Sequence, residues 1–491
     1  MSVNFQLVDL LLVSPAIALF IASLIPLSVK AFGKGRTPKS MSSVLYGLIG
    51  LTIAGGLTIS NYGINQTAFS KALVFDGIGS WSAILVIIAT AMSLIFAKDN
   101  LATSTRQFEE LVFLILNAAM GMLLVAWSND LIMLFIGIEV MSLCLYLAIA
   151  LSLEERLSKE AAFKYFVLGS FASAIFLYGC AFIYGTAGGT YLLDLSEIGA
   201  DLIGTNRLFL FGIVMVVVGL SFKVAIVPFH FWAPDVYQGS ATPLTGFMAA
   251  GVKLAIFAAF LRLVGTQVLN GERTEDLIVG IQWLAVLTMI AGNVTAILQK
   301  NLKRMLAYSS IAHSGYILVG VLAAGIGELG HLGASSVMFY IFGYMIMTLG
   351  SFGILSLLEK NENSEVVADD LKGLGARSPI LAACLTVFML SLAGLPPTLG
   401  FFGKFYIFSA AIKQGFFWVS FWGVVSSAIS VFYYLRPVVY MYMSEGGGIE
   451  VDHSRILSRW LVGACALATL VLGIFSNPFY EEIRKAVAGL F

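Results

Sequence analysis

Charge is what this chain has least of. Lys, Arg, Asp and Glu make up 11% of its 491 residues, against about 25% in an ordinary soluble domain. So few charges cannot cover a water-facing surface. The 28 basic and 28 acidic side chains cancel, which argues against nucleic acid or a strongly anionic partner. Only four cysteines occur: Cys144, Cys180, Cys384 and Cys465 stand far apart, each in an apolar run, with no metal-ligand or redox spacing. They read as small hydrophobes packed between helices. There is no phosphate-binding glycine loop, nucleophile elbow or zinc motif. The sequence therefore points to no metal site and no cofactor held by this chain.

What is plentiful is hydrophobic surface, at 59% of residues. In lipid every backbone polar group needs an internal partner, which leaves helices or a closed barrel. The apolar runs are about 20 residues or longer and do not alternate, so an all-α membrane protein is expected. Fourteen spans are predicted, at 8–29, 41–60, 75–97, 109–127, 130–152, 160–185, 207–232, 243–265, 276–298, 304–325, 331–358, 379–413, 416–441 and 455–476. They make a single polytopic domain over 1–491. The longest connections, near 186–206 and 359–378, leave no room for a soluble domain.

The loops orient the chain. Of the 28 Lys and Arg, sixteen fall on one side, among them Lys30, Lys34, Arg36, Lys39, Lys98, Arg106, Lys303, Arg304, Lys360 and Arg377. Seven fall on the other, including Lys71, Arg207, Arg262, Arg273, Lys413 and Arg484. The positive-inside rule makes the richer side cytoplasmic and both termini periplasmic. No Lys or Arg precedes the first span and four follow it, the reverse of a cleaved signal peptide.

Two spans are interrupted. Span 7 meets Pro228 shortly after Lys223, and span 12, 35 residues long, carries Pro396 and Pro397 between Gly394 and Gly400. Thirty-five helical residues would measure about 50 Å, well beyond a hydrocarbon core of about 30 Å. The double proline therefore marks a break. For span 7 a simple proline kink is the plainer alternative. Interrupted helices in the two halves of a membrane protein point to a transport site.

Five basic residues remain inside apolar runs: Lys164, Lys223, Lys253, Lys404 and Arg436. Glu139 is the clear intramembrane acid, and His313 lies near the middle of span 10. Each charge at a helix centre costs about 2.5–3.5 kcal/mol, so three deep lysines and a glutamate cost about 10 kcal/mol before pairing. That is comparable to the net stability of a whole domain. Lys253 sits at the bilayer middle, Lys223 beside the break of span 7, and Lys404 just after the double proline. Glu139 is nine residues into its span, about 13 Å deep at 1.5 Å per residue; a structural ion pair is its competing reading. Lys164, near the cytoplasmic end of span 6, can snorkel to the headgroups. Arg436, always charged, reads as an anchor. His313 and His230 titrate in a useful range, although a lone histidine on a helix is often a satisfied packing residue. Lysine in apolar surroundings loses hydration and approaches neutrality, and a nearby carboxylate restores its proton. A row of such sites can shuttle protons. Each proton moved against 100 mV costs about 2.3 kcal/mol, which must come from a partner because this chain has no redox or nucleotide chemistry.

Four segments carry a resemblance. GLSFKVAIVPFHFWAPDVYQGSATPLTGFMAAGVKLA (219–255), QKNLKRMLAYSSIAHSGYILVG (299–320) and SLAGLPPTLGFFGKFYIF (391–408) resemble the antiporter-like membrane subunits of respiratory complex I. KEAAFKYFVLGSFASAIFLYGCAFIYGTAGGTYL (159–192) is similar to subunit N in particular. Lys404 also favours N, since M-type subunits carry glutamate there. L-type subunits share the lysine but add a lateral helix after the fourteenth span, for which this chain leaves about fifteen residues.

The resemblance implies a proton-translocating subunit of an NADH–quinone oxidoreductase. It implies two inverted five-helix repeats, over 109–265 and 276–441, after three N-terminal helices in 1–108 and before helix 14 and its tail in 455–491. Glu139, Lys223, Lys253 and Lys404 match the family's relay positions, Lys164 an N-type lysine, and His313 a histidine of less settled role. FMN, iron–sulfur clusters, NADH and quinone are expected on partner subunits. The partners are other membrane-arm subunits, including another antiporter-like one, in the bacterial inner membrane. The lysine pattern leaves open an Mrp-type cation/proton antiporter or a membrane-bound hydrogenase subunit. A non-pumping scaffold would gain by replacing its deep lysines with leucine. Nothing specific supports a quinone-reducing site.

Overall fold

Long apolar runs that must satisfy their own backbone become helices. The computed structural model describes residues 7–32, 40–101, 107–152, 156–266, 269, 274–327, 329–359, 365–445 and 454–488. The chain opens with α1 (Leu7–Phe32), α2 (Ser40–Ser60), α3 (Gly77–Leu101), α4 (Phe108–Trp127), α5 (Leu131–Ser152) and α6 (Arg156–Ala187). Next come α7 (Leu192–Thr205), α8 (Arg207–Lys223), α9 (Trp232–Gly239) and α10 (Thr242–Phe247). A π-helical turn, Met248–Val252, joins α10 to α11 (Lys253–Gly265). The second half has α12 (Glu275–Ile297), α13 (Leu302–Ala324), α14 (Gly330–Leu358) and the short α15 (Leu374–Arg377). It ends with α16 (Pro379–Ala393), α17 (Leu399–Lys413), α18 (Phe417–Met443), α19 (Ile456–Ile474) and α20 (Ser476–Val487). Among the described residues, 12 helices are long and apolar enough to cross a membrane, or 13 if α7 and α8, bent by 114°, count as one.

The two remaining expected spans, 207–232 and 379–413, are each divided. α8 stops at Lys223, and Ala225 takes a left-handed backbone with φ +56°. Backbone freed by the break finds side-chain partners: Val227 N–H donates to Thr288 at 3.0 Å, and Ser314 donates to the Val224 carbonyl at 2.6 Å. Trp232 Nε1 donates to the Phe222 carbonyl at 2.9 Å. α16 ends on Gly394 at φ +86°, where a left-handed turn suits glycine. Pro396 and Pro397 follow, and the Gly400 N–H reaches back 3.0 Å to Ser391. Pro228 and Pro397 are both preceded by cis peptide bonds.

One backbone device occurs twice. The turn between α4 and α5 bridges the segment after α6 at Asp130 and Tyr191; Leu131 N–H meets the Thr190 carbonyl, and Leu192 N–H meets that of Asn129. The turn between α12 and α13 bridges the segment after α14 at Asn301 and Val367 in the same pattern. There Leu302 N–H meets the Val366 carbonyl, and Ala368 N–H meets that of Lys300. Following the helices back and forth puts the two bridges at opposite ends of the bundle.

α10, α11 and α14 are buried along their length and α13 almost so, while α1, α2, α6, α18 and α19 form an outer layer. Phe163, Phe171, Phe421 and Trp460 point outward from that layer, as lipid-facing residues do. Two amphipathic helices lie outside the predicted spans, and two charges counted with the loops are buried. The connection 186–206 contains the helix α7, and the tail after the last span folds into α20, both amphipathic and missed by a search for uniformly apolar runs. The tail packs closely, since a Cβ on Gly77 would meet the Ala486 carbonyl oxygen at 1.9 Å. Lys303 and Arg262, counted as loop charges, are buried against distant carboxylates, Glu359 and Asp76. Lys34, Arg36, Lys39, Arg106, Arg273, Lys360 and both termini lie outside the described residues.

Candidate functional site

Through the middle of the bundle runs a row of polar side chains, carried on the buried helices and on α5, α8, α17 and α18. Lys223, Lys253, Lys404 and His313 are 2%, 3%, 5% and 1% exposed. None of the three lysines snorkels to a surface, so each ammonium must find its partners inside.

Lys223 is the last residue of α8, and its Nζ donates to Ser142 at 2.9 Å and to Tyr146 OH at 3.3 Å, both on α5. Carbonyls at a helix C-terminus also favour a positive charge there. Glu139 lies one turn from Ser142 on α5. It accepts a hydrogen bond from Ser173 of α6. A longer link leads onward. Ser314, which donates to Val224 beside Lys223, also donates to the Ser310 carbonyl at 3.3 Å. That carbonyl accepts from Lys253 Nζ.

Lys253 follows directly on the π-helical turn, a feature that often marks a working position in a helix. Its Nζ stands 4.8 Å from the centre of the Tyr344 ring, whose hydroxyl donates to Ser310 Oγ at 2.9 Å. His313, one turn along α13 from Ser310, contacts Tyr340 OH through Nδ1 and Tyr434 OH through Nε2, the latter at 3.0 Å. Tyr316 extends the row, its hydroxyl accepting from Asn293 at 2.9 Å and its ring 5.0 Å from Lys404 Nζ. Lys404 closes it. Its three N–H groups reach the Leu392 carbonyl, the Ala393 carbonyl and Ser427 Oγ, each at 2.9 Å. The break in span 12 thus supplies the free carbonyls that hold the lysine.

The other candidates lie elsewhere. Lys164, half-exposed, pairs with Glu160 and Asp235 at 2.9 Å, and Asp235 also takes Arg304 at 2.7 Å. Burial raises the Asp235 carboxyl, but Lys164 and Arg304 outweigh it and hold the group below its usual range. This cluster ties α6, α9 and α13 together away from the row. His230 lies tilted against Phe231 in the break after α8, with ring centres 4.5 Å apart. Arg436 donates to the Ile297 carbonyl at 3.1 Å and to that of Gln299, tying α18 to the end of α12. Sequence reasoning missed Ser142, Tyr146, Ser310, Tyr316, Tyr340, Tyr344, Tyr434 and Ser427. Their one available signal was hydroxyl groups within apolar helices, shared with many residues that only bond their own backbone. Among the described residues no group of three His, Cys, Asp or Glu could hold a metal ion.

Residues 128–430 match the family described as NADH:quinone oxidoreductase/Mrp antiporter, TM. A protein of Bdellovibrio bacteriovorus named NADH-quinone oxidoreductase subunit N is 50% identical over 487 residues, covering 99% of this chain and 100% of that one. The fold is similar to a chain of respiratory complex I from Thermus thermophilus, at a TM-score of 0.81 and 31% identity over 95% of this chain and 98% of that one. It is also similar to a chain of the Mrp complex from Dietzia sp. DQ12-45-1b, at a TM-score of 0.82 and 20% identity over 99% of this chain and 98% of that one, a likeness of fold alone.

Proposed function

This chain belongs to the NADH:quinone oxidoreductase/Mrp antiporter family, as a proton-translocating, antiporter-like subunit of the subunit N type, and we propose that it moves protons along the row from Glu139 through Lys223 and Lys253 to Lys404. The single observation carrying this reading is that three buried lysines lie in one row of hydroxyl, imidazole and carbonyl partners. A scaffold would gain stability by replacing buried charges with apolar side chains.

In operation, Glu139 sets the load on Lys223. A carboxylate held near favours the ammonium, and one drawn away or protonated releases it. Lys253 then receives the proton beside Ser310, and His313 with its tyrosines spans the interval to Lys404. Lys164 and His230 stand off this row and serve its surroundings. The repeated bridge at Asp130–Tyr191 and Asn301–Val367 supports two inverted repeats over 109–265 and 276–441, within a fourteen-span domain whose spans 7 and 12 are broken at Pro228 and at Pro396-Pro397.

Energy reaches the row from partners that carry the FMN, iron–sulfur, NADH and quinone chemistry. A groove of about 660 Å³ beside Lys404 exposes the Gly394 turn between Phe405, Ile412 and Val431. Non-helical backbone is not tolerated against lipid, which supports its being covered by another membrane subunit, in our reading a second antiporter-like one. The basic face is cytoplasmic and the membrane is the bacterial inner membrane, with both termini periplasmic.

The test is proton pumping by membranes carrying Lys253→Met, with assembly of the complex measured alongside. Loss of pumping in an intact complex is expected. Normal pumping would return the scaffold to the front.

A further inference from the structure

At the basic end of the bundle lies a second buried ion pair that the row from Glu139 to Lys404 does not use. Lys303, in the first turn of α13, stands 3.4 Å from Glu359, the residue capping α14. Both are more than nine-tenths buried. Thr242, at the start of α10, donates to Glu359 Oε1, and Asn100, at the end of α3, donates to Oε2 at 3.3 Å. The pair therefore touches four helices at the same end of the molecule as Lys98 and Arg304.

From it a line of polar groups descends toward Lys253. Lys303 Nζ donates to the Ser240 carbonyl at 3.2 Å, and Ser240 Oγ meets Thr245 Oγ1 at 2.6 Å. Thr245 donates to the Tyr237 carbonyl at 3.2 Å, and Tyr237 OH lies 3.5 Å from Ser310 Oγ. Ser310 is the residue whose carbonyl holds Lys253. Two hydroxyl pairs, Ser240 with Thr245 and Tyr237 with Ser310, line this descent between buried helices, more than a structural clamp needs. A buried pair is also poor value as a clamp, because well-packed apolar residues commonly hold as well or better.

We propose that Lys303 and Glu359 form the proton-loading point through which Lys253 is filled from the basic face. This rests on the reading of Lys253 as a relay site. A proton arriving from that face is taken by the Glu359 carboxylate, which loosens its hold on Lys303. It passes down the hydroxyls of Ser240, Thr245, Tyr237 and Ser310, with water carrying it from Glu359 to Ser240, from Thr245 to the Tyr237 hydroxyl and from Ser310 to Lys253, where the direct contacts run to carbonyls that pass no proton. Each hydroxyl accepts one proton and yields its own, so only O–H and N–H bonds change and nothing is oxidised. The Lys253 amine takes the last proton, and Glu359 is again a carboxylate facing Lys303.

The experiment measures protons moved per electron in membranes holding the assembled complex, for Glu359→Gln, Glu359→Asp, Lys253→Met and the doubly neutral Lys303→Met with Glu359→Gln. The proposal expects loss of pumped protons with Glu359→Gln at undiminished assembly, recovery with Glu359→Asp, and the same loss in the double variant. The double variant removes the pair without stranding one charge, so it assembles even where Glu359→Gln does not. Normal pumping by an assembled Glu359→Gln or double variant, while Lys253→Met fails to pump, overturns the loading point and leaves the relay standing. Failure of the double variant to assemble makes the pair a clamp and likewise overturns it. Normal pumping by Lys253→Met removes the relay itself, and the loading point with it.

Discussion

The Tyr146 hydroxyl lies 3.3 Å from the Lys223 ammonium, and it can do so only because residue 169 is glycine. A Cβ on Gly169 would fall 2.0 Å from that oxygen. One side chain of α5 thus reaches across the bare surface of α6 to hold the lysine that ends α8. Tyr146 is further braced edge-on by Tyr165, ring centres 4.7 Å apart, and Tyr165 stacks on Trp232 beyond the break.

Replacing Lys223 with alanine is expected to lower proton pumping and coupled electron transfer while the complex assembles. Removing the charge leaves Ser142 and Tyr146 as neutral hydroxyls, which a buried site tolerates better than a charge without partners. Pumping and assembled content of the same membranes are the measurements. Unchanged pumping would take Lys223 out of the path.

Gly169→Ala is expected to reproduce much of that defect without touching a titratable group. The new methyl displaces the Tyr146 hydroxyl, and overpacking of this kind typically costs about 1–3 kcal/mol. Adding Tyr146→Phe removes the clashing oxygen. The double variant should therefore assemble better than Gly169→Ala alone while pumping no better than Tyr146→Phe alone, a coupling read from the four-member cycle.

Arg436→Lys should leave pumping almost unchanged. The guanidinium serves two carbonyls at the end of α12, and an ammonium can serve at least one of them, at a cost of about 1 kcal/mol for a lost hydrogen bond. Arg436→Ala strands both carbonyls and should lower the amount of assembled complex. Abolished pumping by Arg436→Lys in a fully assembled complex would mean that this residue does more than anchor.

The Asp235 cluster gives a dependence on pH. Its carboxyl is held lower in the folded chain than when unfolded, through Lys164 and Arg304. Its contribution is therefore present above the ordinary carboxylate value of about 4 and is lost as pH falls through the lowered folded value. Thermal stability of the solubilised complex should drop over that acid range. Asp235→Asn should be less stable at neutral pH and lose less on acidification. Parallel curves for the two proteins would contradict the assignment.

Much of this was legible in the residues. The breaks announced themselves through Pro228 and Pro396-Pro397, because proline removes a donor and blocks the preceding turn. Lys223, Lys253 and Lys404 stood out because charge in lipid is costly. Their partners did not. Ser142, Ser310 and Ser427 look like any other serine in an apolar helix, and only packing tells which of them faces an ammonium. Lys303 was misplaced because it lies a few residues from a loop, while the carboxylate that makes it a core residue is 56 positions away. Amphipathic segments such as α7 and α20 fail a test built on uniform apolarity. The bridge shared by the two halves involves backbone groups, which leave no mark in side-chain identity.

The cradle around Lys404 accepts two charge states. As an ammonium it sends three N–H groups to three oxygens. As a neutral amine it keeps two N–H groups for the Leu392 and Ala393 carbonyls and offers a lone pair. Ser427, whose hydroxyl otherwise turns 3.3 Å toward Ala393, can rotate to donate into that lone pair. No carbonyl of the broken helix is stranded in either state, so the same pocket fits the lysine full or empty. On the proposed relay, releasing a proton there asks for the turn of one hydroxyl rather than a rearrangement of the helix.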